Sequence, residues 1–316
     1  AKEAIFEAVQ IPCREQRLVV GVEELSDDDA LSSLVEEDAT VYITLVRRDP
    51  LQAVWLERVE ADAEELEDAP AQIRADREVV MRAVRQIGWV LQHADEALRS
   101  DSEVVLAAMT NSRASTVKEV GEYAVLAALR CAELGPRSDR KVIMAAVRRA
   151  GKSLRYAEDS LRADPEIVMT AVAQDGLALH FAADALKSDR RIVLQAVQKA
   201  GLALQYASQE LREDPEVVLC AVQRGPPLGL AYTSQDLLAN REFALQIVKA
   251  EGLALFYLPE HWKVDREFVM EAVKGNGAAL SAAAEELWSD REIVLQAVQQ
   301  GESAGCSPLK FAAAHL

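Results

Sequence analysis

The chain repeats one pattern about every 25 residues from Leu51 to its end. The pattern runs Asp-Arg-Glu-Val-Val, then Ala-Val, a glycine, and Leu-x-Leu-x-Tyr-Ala before a closing Leu-Arg. A fixed period of this size is typical of stacked repeat proteins, in which each unit contacts its neighbours. The first residue of the pattern, which we call position 1, is one of the following: Asp76, Asp101, Asp139, Asp164, Asp189, Asp214, Asn240, Asp265 and Asp290.

Each repeat carries the signals of one helix and of a second apolar stripe. An acid at position 1 suits a helix N-cap, and the apolar residues at positions 4, 5, 8 and 9 lie on one helical face. Glycine at position 13 predicts a left-handed C-cap. Leucine at 16, alanine at 19 and leucine at 23 then indicate a second helix. One such hairpin buries too little apolar surface to offset its lost conformational entropy, so the repeats must stack.

These signals predict a mainly α fold in two parts. Residues 49–316 form an α-solenoid of about ten 25-residue helical hairpins, and residues 1–48 form a small α/β module. The segment from Leu51 to Ala75 fits the repeat frame as a degenerate first unit. Pro165 and Pro215 stand at position 2, where a helix start favours proline.

Composition excludes several classes of ligand and location. The net charge of −17 argues against a nucleic-acid ligand, because phosphate binding needs a basic face, and it suits protein partners. No apolar run reaches the length of a membrane helix, so no membrane span is expected. The cysteines are far apart without a CxxC pair, which favours a reducing compartment. We expect a soluble intracellular protein of the cytoplasm or an organelle interior such as the plastid, not a secreted one.

The first 48 residues do not repeat and resemble the second half of ubiquitin. The specific elements are Ile-Pro at 11–12, Gln-Arg-Leu-Val-Val at 16–20 and Thr-Val-Tyr-Ile-Thr-Leu at 40–45. The resemblance implies a β-grasp module that lacks its first hairpin, which residues before Ala1 or another chain would supply. By motif match, Val19 carries over one position of the ubiquitin docking patch. The matching position on the last strand is Thr44 and its neighbour is Tyr42, both less apolar than in ubiquitin, so the resemblance implies a weakened patch. The alternative is a structural module that docks on the first helical unit.

The Asp-Arg-Glu-Val-Val and Leu-Ala-Leu-x-Tyr-Ala motifs resemble the repeated helical domain of unknown function numbered 4116. This resemblance covers roughly residues 51–316. The family is known from tandem arrays in algal proteins, often after a ubiquitin-like start, and from some bacterial effectors. It implies the solenoid and the order of the two parts, and it implies no chemistry.

No catalytic or metal-binding motif is found. None of the four histidines lies three or four residues from another histidine or a cysteine, so metal-ligand spacing is missing. The chain has no nucleophile elbow, phosphate-binding loop or dinucleotide loop. We therefore expect no cofactor and no enzymatic activity. Position 18 is aromatic in most repeats, which indicates either packing or a groove that grips a peptide.

Departures from the repeat are the candidate partner contacts. About thirteen extra residues near 110–122 include Arg113 and Lys118, and insertions in solenoids often collect on the binding face. The stretch from Phe256 through Tyr257 and His261 to Trp262 clusters aromatics, which are typical interface anchors. The alternative for this stretch is a locally repacked core.

Three functions fit these features. The first is a non-catalytic protein–protein interaction scaffold. The second is a structural or accessory subunit of a large assembly, such as an algal organellar or photosynthetic complex. The third, a ubiquitin-pathway adaptor, is disfavoured by the weakened docking patch.

Overall fold

A computed structural model describes residues 2–20, 23–24, 42–110 and 118–301. The chain divides into two compact units, Ala1–Pro136 and Arg137–Leu316. Within each unit, helical repeats pack on one another in sequence order, which confirms the mainly α repeat fold. No helix among the described residues is both long and apolar enough to cross a bilayer.

The N-terminal part contains one helix and a small antiparallel sheet. Its elements are the helix Lys2–Val9, a 3₁₀ turn Cys13–Glu15, and the strands β1 (Gln16–Val20), β2 (Glu23–Glu24) and β3 (Thr44–Arg47). The strand order is β2-β1-β3, with Val19 opposite both Glu24 and Thr44. Leu18 and Gln16 are buried, and the Gln16 side chain donates to the Ile11 carbonyl at 2.7 Å. The elements follow the predicted order, and the ubiquitin-like relationship stays a prediction.

A complete repeat contains three helices, not the two predicted from sequence. In the Asp164 repeat these are Pro165–Gln174, the 3₁₀ helix Gly176–Phe181 and the short helix Asp184–Lys187. Positions 13, 16 and 19 are spaced by three residues, which is one turn of a 3₁₀ helix, so all three face the core. The second apolar stripe is therefore divided between a 3₁₀ helix and a separate helical turn.

The helix bounds follow the period. The first helices are Pro50–Ala61, Arg77–Gln86, Ser102–Thr110, Arg140–Arg149, Pro165–Gln174, Arg190–Lys199, Pro215–Val222, Arg241–Ala250, Arg266–Gly275 and Arg291–Gly301. The 3₁₀ helices after them are Ala63–Asp68, Gly88–His93, Gly151–Tyr156, Gly176–Phe181, Gly201–Tyr206, Pro227–Tyr232, Gly252–Tyr257 and Gly277–Ala282. The third helices are Ala71–Arg74, Glu96–Arg99, Leu134–Ser138, Asp159–Arg162, Asp184–Lys187, Gln209–Arg212, Gln235–Ala239, Glu260–Lys263 and the 3₁₀ turn Glu285–Ser289.

Acidic N-caps begin the first helices, as predicted, except that Asn240 caps the helix Arg241–Ala250. The Asp164 carboxylate, for example, accepts the amides of Glu166 and Ile167 at 2.9 and 3.2 Å. The first unit begins at Asp49, two residues before the predicted Leu51. Asp49 accepts two backbone amides and Pro50 follows it, but Asp49 falls outside the 25-residue spacing that defined the frame.

The glycine at position 13 permits close packing and does not form the predicted left-handed cap. Among the described glycines, Gly225 alone has positive φ. A Cβ on Gly176 would lie 2.3 Å from the backbone oxygen of Ala196 in the next repeat. Gly88, Gly151, Gly201 and Gly252 face the equivalent alanine carbonyl at 2.1 to 2.4 Å. Neighbouring backbones are therefore in direct contact, and only glycine leaves room for it.

One interface between repeats, that of the Asp214 repeat with the Asn240 repeat, lacks this glycine–alanine pair. Pro227 stands where the other 3₁₀ helices begin with glycine or alanine, and the facing residue of the next repeat is Ile247 instead of alanine. The chain adds one residue here, and the first helix ends early at Val222. Both positions of the glycine–alanine pair are thus occupied by larger residues at this interface.

Arginines at position 2 link neighbouring repeats along one edge. Each guanidinium binds the position-1 aspartate of the next repeat at 2.8 to 3.1 Å and also its position-3 glutamate. These ion pairs join Arg77 to Asp101 and Glu103, Arg140 to Asp164 and Glu166, Arg190 to Asp214 and Glu216, Arg241 to Asp265 and Glu267, and Arg266 to Asp290 and Glu292. These ion pairs form a ladder along the repeats, and each half-exposed pair contributes little to stability.

The ladder is specified by charges one period apart. In three repeats position 2 is not arginine, and the repeat after each of them lacks one of the two acids. Ser102 is followed by Lys141 at position 3, Pro165 by Arg191 at position 3, and Pro215 by Asn240 at position 1. In the first unit Gln52 takes this place and donates to Asp76 of the next repeat at 2.8 Å. Exchanging the repeats from Asp76 onward would therefore leave charges unpaired.

We expect Arg266→Gln to raise the pKa of the Asp290 carboxyl toward its ordinary value. The hydrogen bond from Arg266 lowers that pKa most strongly, against the effect of burial. A carboxyl with a lower pKa in the folded chain stabilises the fold above its unfolded pKa of about 3.9, and this contribution is lost as the pH falls through the folded value. Carboxyl chemical shifts between pH 2 and 6 measure the pKa. Arg191→Gln, which removes an arginine outside the ladder, should leave it unchanged; equal shifts in both variants would refute the assignment.

Candidate interaction surface

The 3₁₀ helices of unit Arg137–Leu316 present one continuous partly exposed face. Positions 13, 15, 16 and 19 are buried in the regular repeats, which leaves positions 14, 17 and 18 toward solvent. Positions 14 and 17 are three residues apart and so lie above one another on a 3₁₀ helix. Successive 3₁₀ helices pack side by side, so these positions form columns along the stack.

We call these positions the 3₁₀ face. Its residues are Lys152, Arg155, Tyr156, Leu177, His180, Phe181, Leu202, Gln205, Tyr206, Leu228, Ala231, Tyr232, Leu253, Phe256, Tyr257, Ala278, Ser281 and Ala282. None of them is acidic, although the chain contains 52 aspartates and glutamates and has a net charge of −17. The face is therefore apolar, aromatic and weakly basic on a strongly acidic protein.

Side chains of the 3₁₀ face contact one another across repeats. The His180 ring lies 4.6 Å from the ring of Tyr206 in the next repeat and 4.8 Å from that of Phe181. The Arg155 guanidinium lies over Tyr156 at 5.3 Å and over Phe181 at 5.8 Å, which are cation–π distances. Side chains of neighbouring repeats are therefore in contact along this face.

The most exposed apolar part of this face surrounds the irregular Asp214 repeat. Leu228, Tyr232 and Phe256 expose 46, 41 and 45% of their surface and belong to two 3₁₀ helices that pack together. Pro226 and Pro227 begin the first of these helices, directly after Gly225, whose φ is +155°. The departure from the repeat therefore coincides with the largest exposure of apolar side chains on the face.

The predicted aromatic cluster divides into core and surface. Trp262 is 9% exposed, stacks on Phe268 at 4.3 Å and donates its indole N–H to the Leu238 carbonyl at 3.0 Å. It fills the leucine position of the third helix, so its predicted role as an exposed anchor is wrong. Phe256 is exposed and Tyr257 half-buried on the 3₁₀ face. His261 is exposed on the third helix beside Trp262, outside this face.

The predicted insertion is partly a structural element. Arg113 lies outside the described residues. Lys118 begins the helix Lys118–Cys131, but its side chain is also outside them. That helix packs on the 3₁₀ helix Gly88–His93 of the same unit and buries Val125, among others. In the Asp101 repeat, the described part of this helix therefore takes the place that a 3₁₀ helix has in the other repeats.

The predicted docking-patch residues lie on and beside the N-terminal sheet. Val19 is half-buried on β1 and pairs with Thr44 on β3, so the two side chains share one face of the sheet. Tyr42 precedes β3 and is 84% exposed. The sheet thus brings Val19 and Thr44 together, as the motif match implied. Nothing more in the geometry distinguishes a docking patch.

Only part of the candidate surface is predictable from the sequence. The aromatic column at position 18 is visible there, with packing as its alternative. The half-exposed leucines at position 14 are not predictable in this way, because the sequence pattern does not show that the second apolar stripe begins with a 3₁₀ helix. The signal for them is the absence of acids at three positions of every repeat in unit Arg137–Leu316.

Within the described ranges, no group of three His, Cys, Asp or Glu side chains is arranged to hold a metal ion. Among the described cysteines, burial raises the pKa of Cys220. The chemistry that the 3₁₀ face offers is apolar contact, ring stacking and cation–π contact. These are the means by which repeat proteins bind other polypeptides.

The comparison with known families agrees with this geometry. A domain of unknown function (DUF4116) matches residues 76–115, 139–187, 189–238, 240–288 and 265–312, which is more than half of the chain. All five matches begin at a helix N-cap, and those starting at 139, 189, 240 and 265 each span about two sequence periods. No curated protein and no solved structure is significantly similar to the chain. The chain belongs to the DUF4116 family of helical repeat proteins.

Proposed function

We propose that this protein is a non-catalytic interaction scaffold that binds a protein partner along the 3₁₀ face. The observation that carries the proposal is the absence of acidic side chains from this half-exposed apolar face of a chain with net charge −17. If the face served only as solvated surface, it would share the acidic composition of the rest of the chain. Exposed aromatic and apolar residues grouped in this way are typical of binding sites.

The chemistry of the face describes the partner segment. Leu228, Tyr232 and Phe256 provide an apolar anchor site. Arg155 and Lys152 lie toward the other end of the stack, and Lys152 is already paired with Asp175 at 3.5 Å. A partner segment with apolar side chains at one end and an acidic residue at the other would satisfy both regions.

The test compares three forms of the full chain by gentle native isolation and mass spectrometry of companions. The face variant Leu228→Ser, Tyr232→Ser, Phe256→Ser should keep its circular dichroism spectrum and lose the stoichiometric companions of the wild type. The control variant Val264→Ser, Leu295→Ser removes apolar residues of similar exposure, 58 and 51%, outside the face and should keep them. If the face variant retains the same companions as the other two forms, the 3₁₀ face is not the binding surface.

A second candidate, a permanently bound subunit of a large assembly, is favoured by the length of the face. It extends over six 3₁₀ helices, more than one short peptide would cover. Native mass distinguishes the two functions. A permanent subunit would be isolated in a large complex of fixed composition, whereas a scaffold would exchange its partners.

A further inference from the structure

Unit Ala1–Pro136 contains a cleft between β1 and the first helix of the Asp76 repeat. The cleft has a volume of about 440 Å³ and is lined by Arg17, Arg77, Glu78, Met81, Arg82 and Arg85. This volume lies within the range of small-molecule sites. Four arginines in one cleft are unexpected in a chain with only 35 basic residues against 52 acidic ones.

Helix geometry directs the arginines into the same space. At 100° per residue, the helix residues that line the cleft fall within about 140° of arc. Arg82 and Arg85 are one turn apart on this face, and Arg17 approaches from the strand β1. Guanidinium groups therefore border the cleft on two sides, which suits a ligand with more than one anionic group.

The existing ion pairs leave part of this positive charge available. Glu78, the one acid in the lining, is paired with Arg48 at 2.8 Å. Arg77 is held by the ladder, and Arg82 contacts Glu60 at 3.3 Å with half of its side chain exposed. No carboxylate among the described residues forms an ion pair with Arg85. Arg85 and the exposed part of Arg82 are thus the groups best placed for a ligand.

We propose that this arginine cleft binds a small molecule bearing two or more phosphate groups. The guanidinium fork donates paired hydrogen bonds to phosphate oxygens, which is the main reason that arginine is selected at such sites. The Met81 side chain adds an apolar surface for the remainder of the ligand. This site is distinct from the 3₁₀ face and does not depend on the proposed scaffold function.

The competing explanation is that Arg85 only complements the dipole of its helix. It lies in the last turn of Arg77–Gln86, where a cation is favourable. Arg148 and Arg149 occupy the corresponding end of the helix Arg140–Arg149 and provide a matched comparison. A dipole effect would make the two pairs of arginines equivalent, whereas a ligand site would make them different.

The test is calorimetric titration of the full chain with tripolyphosphate at about 0.15 M salt, where exposed charges more than about 8 Å apart are screened. Wild type should bind saturably at one site and bind inorganic phosphate more weakly. Arg82→Gln with Arg85→Gln should weaken tripolyphosphate binding at least about tenfold, because two charge-assisted contacts are lost. Arg148→Gln with Arg149→Gln should bind as wild type does, and circular dichroism confirms that both variants fold.

Three outcomes would overturn the proposal. The first is the absence of saturable tripolyphosphate binding by the wild type. The second is equal weakening of both double variants, which would indicate nonspecific attraction. Displacement of tripolyphosphate by a glutamate-rich peptide of equal charge would reassign the cleft to an acidic protein segment.

Discussion

Gly176→Ala is expected to destabilise the protein by about 3 kcal/mol, at the upper end of the cost of overpacking. The new Cβ would lie 2.3 Å from the backbone oxygen of Ala196 and 3.0 Å from the backbone nitrogen of Ala200. No side-chain rotation relieves a contact with backbone, so the two repeats must separate and lose core packing on both sides. Chemical denaturation followed by circular dichroism measures the change in the free energy of unfolding.

Gly275→Ala is the matched control for this prediction. Its nearest atom outside the local chain would be the Gly252 nitrogen at 3.5 Å, an ordinary contact. Gly275 ends the helix Arg266–Gly275, where alanine has the better helix propensity, so the variant should be neutral or slightly stabilised. If both variants were destabilised equally, the close backbone contact would not be the reason that position 13 is glycine.

Trp262→Ala is expected to cost about 3 to 5 kcal/mol of unfolding free energy, as truncation of a buried aromatic does. The side chain is 9% exposed and stacks on Phe268, and its loss leaves the Leu238 carbonyl without the indole N–H. Denaturant titration provides the measurement. Trp262→Phe should recover most of the loss, with a deficit of about 1 kcal/mol for the missing hydrogen bond.

Phe256→Ala separates packing from binding at the same stretch of chain. Phe256 is 45% exposed, so its truncation should change the unfolding free energy by only about 0.5 kcal/mol. If Phe256→Ala destabilises the chain as strongly as Trp262→Ala, the exposed ring is part of the core and the 3₁₀ face loses one of its anchors. If Trp262→Ala is neutral, the assignment of the indole to the core is wrong.

The different burial of Trp262 and Phe256 shows the limit of what the sequence could predict. Both residues lie in one short segment that departs from the repeat, and sequence alone gave them equal weight as anchors. The burial of Trp262 involves Phe268 and Leu238, which belong to neighbouring repeats and contact its ring. Burial is a property of these neighbours, so the segment could not reveal it.

The sequence by itself determined the period, the N-caps and the pairing of repeats. These features depend on residues at fixed separations along the chain, such as the aspartate that caps a helix or Arg190 and the acids one period later. Only the tertiary structure decided why position 13 is glycine, which leucines and aromatics face solvent, and that Arg17 meets Arg85 across a cleft. Those features arise where separate backbones approach one another, and the distance between two backbones is set by the packing of all the repeats around them.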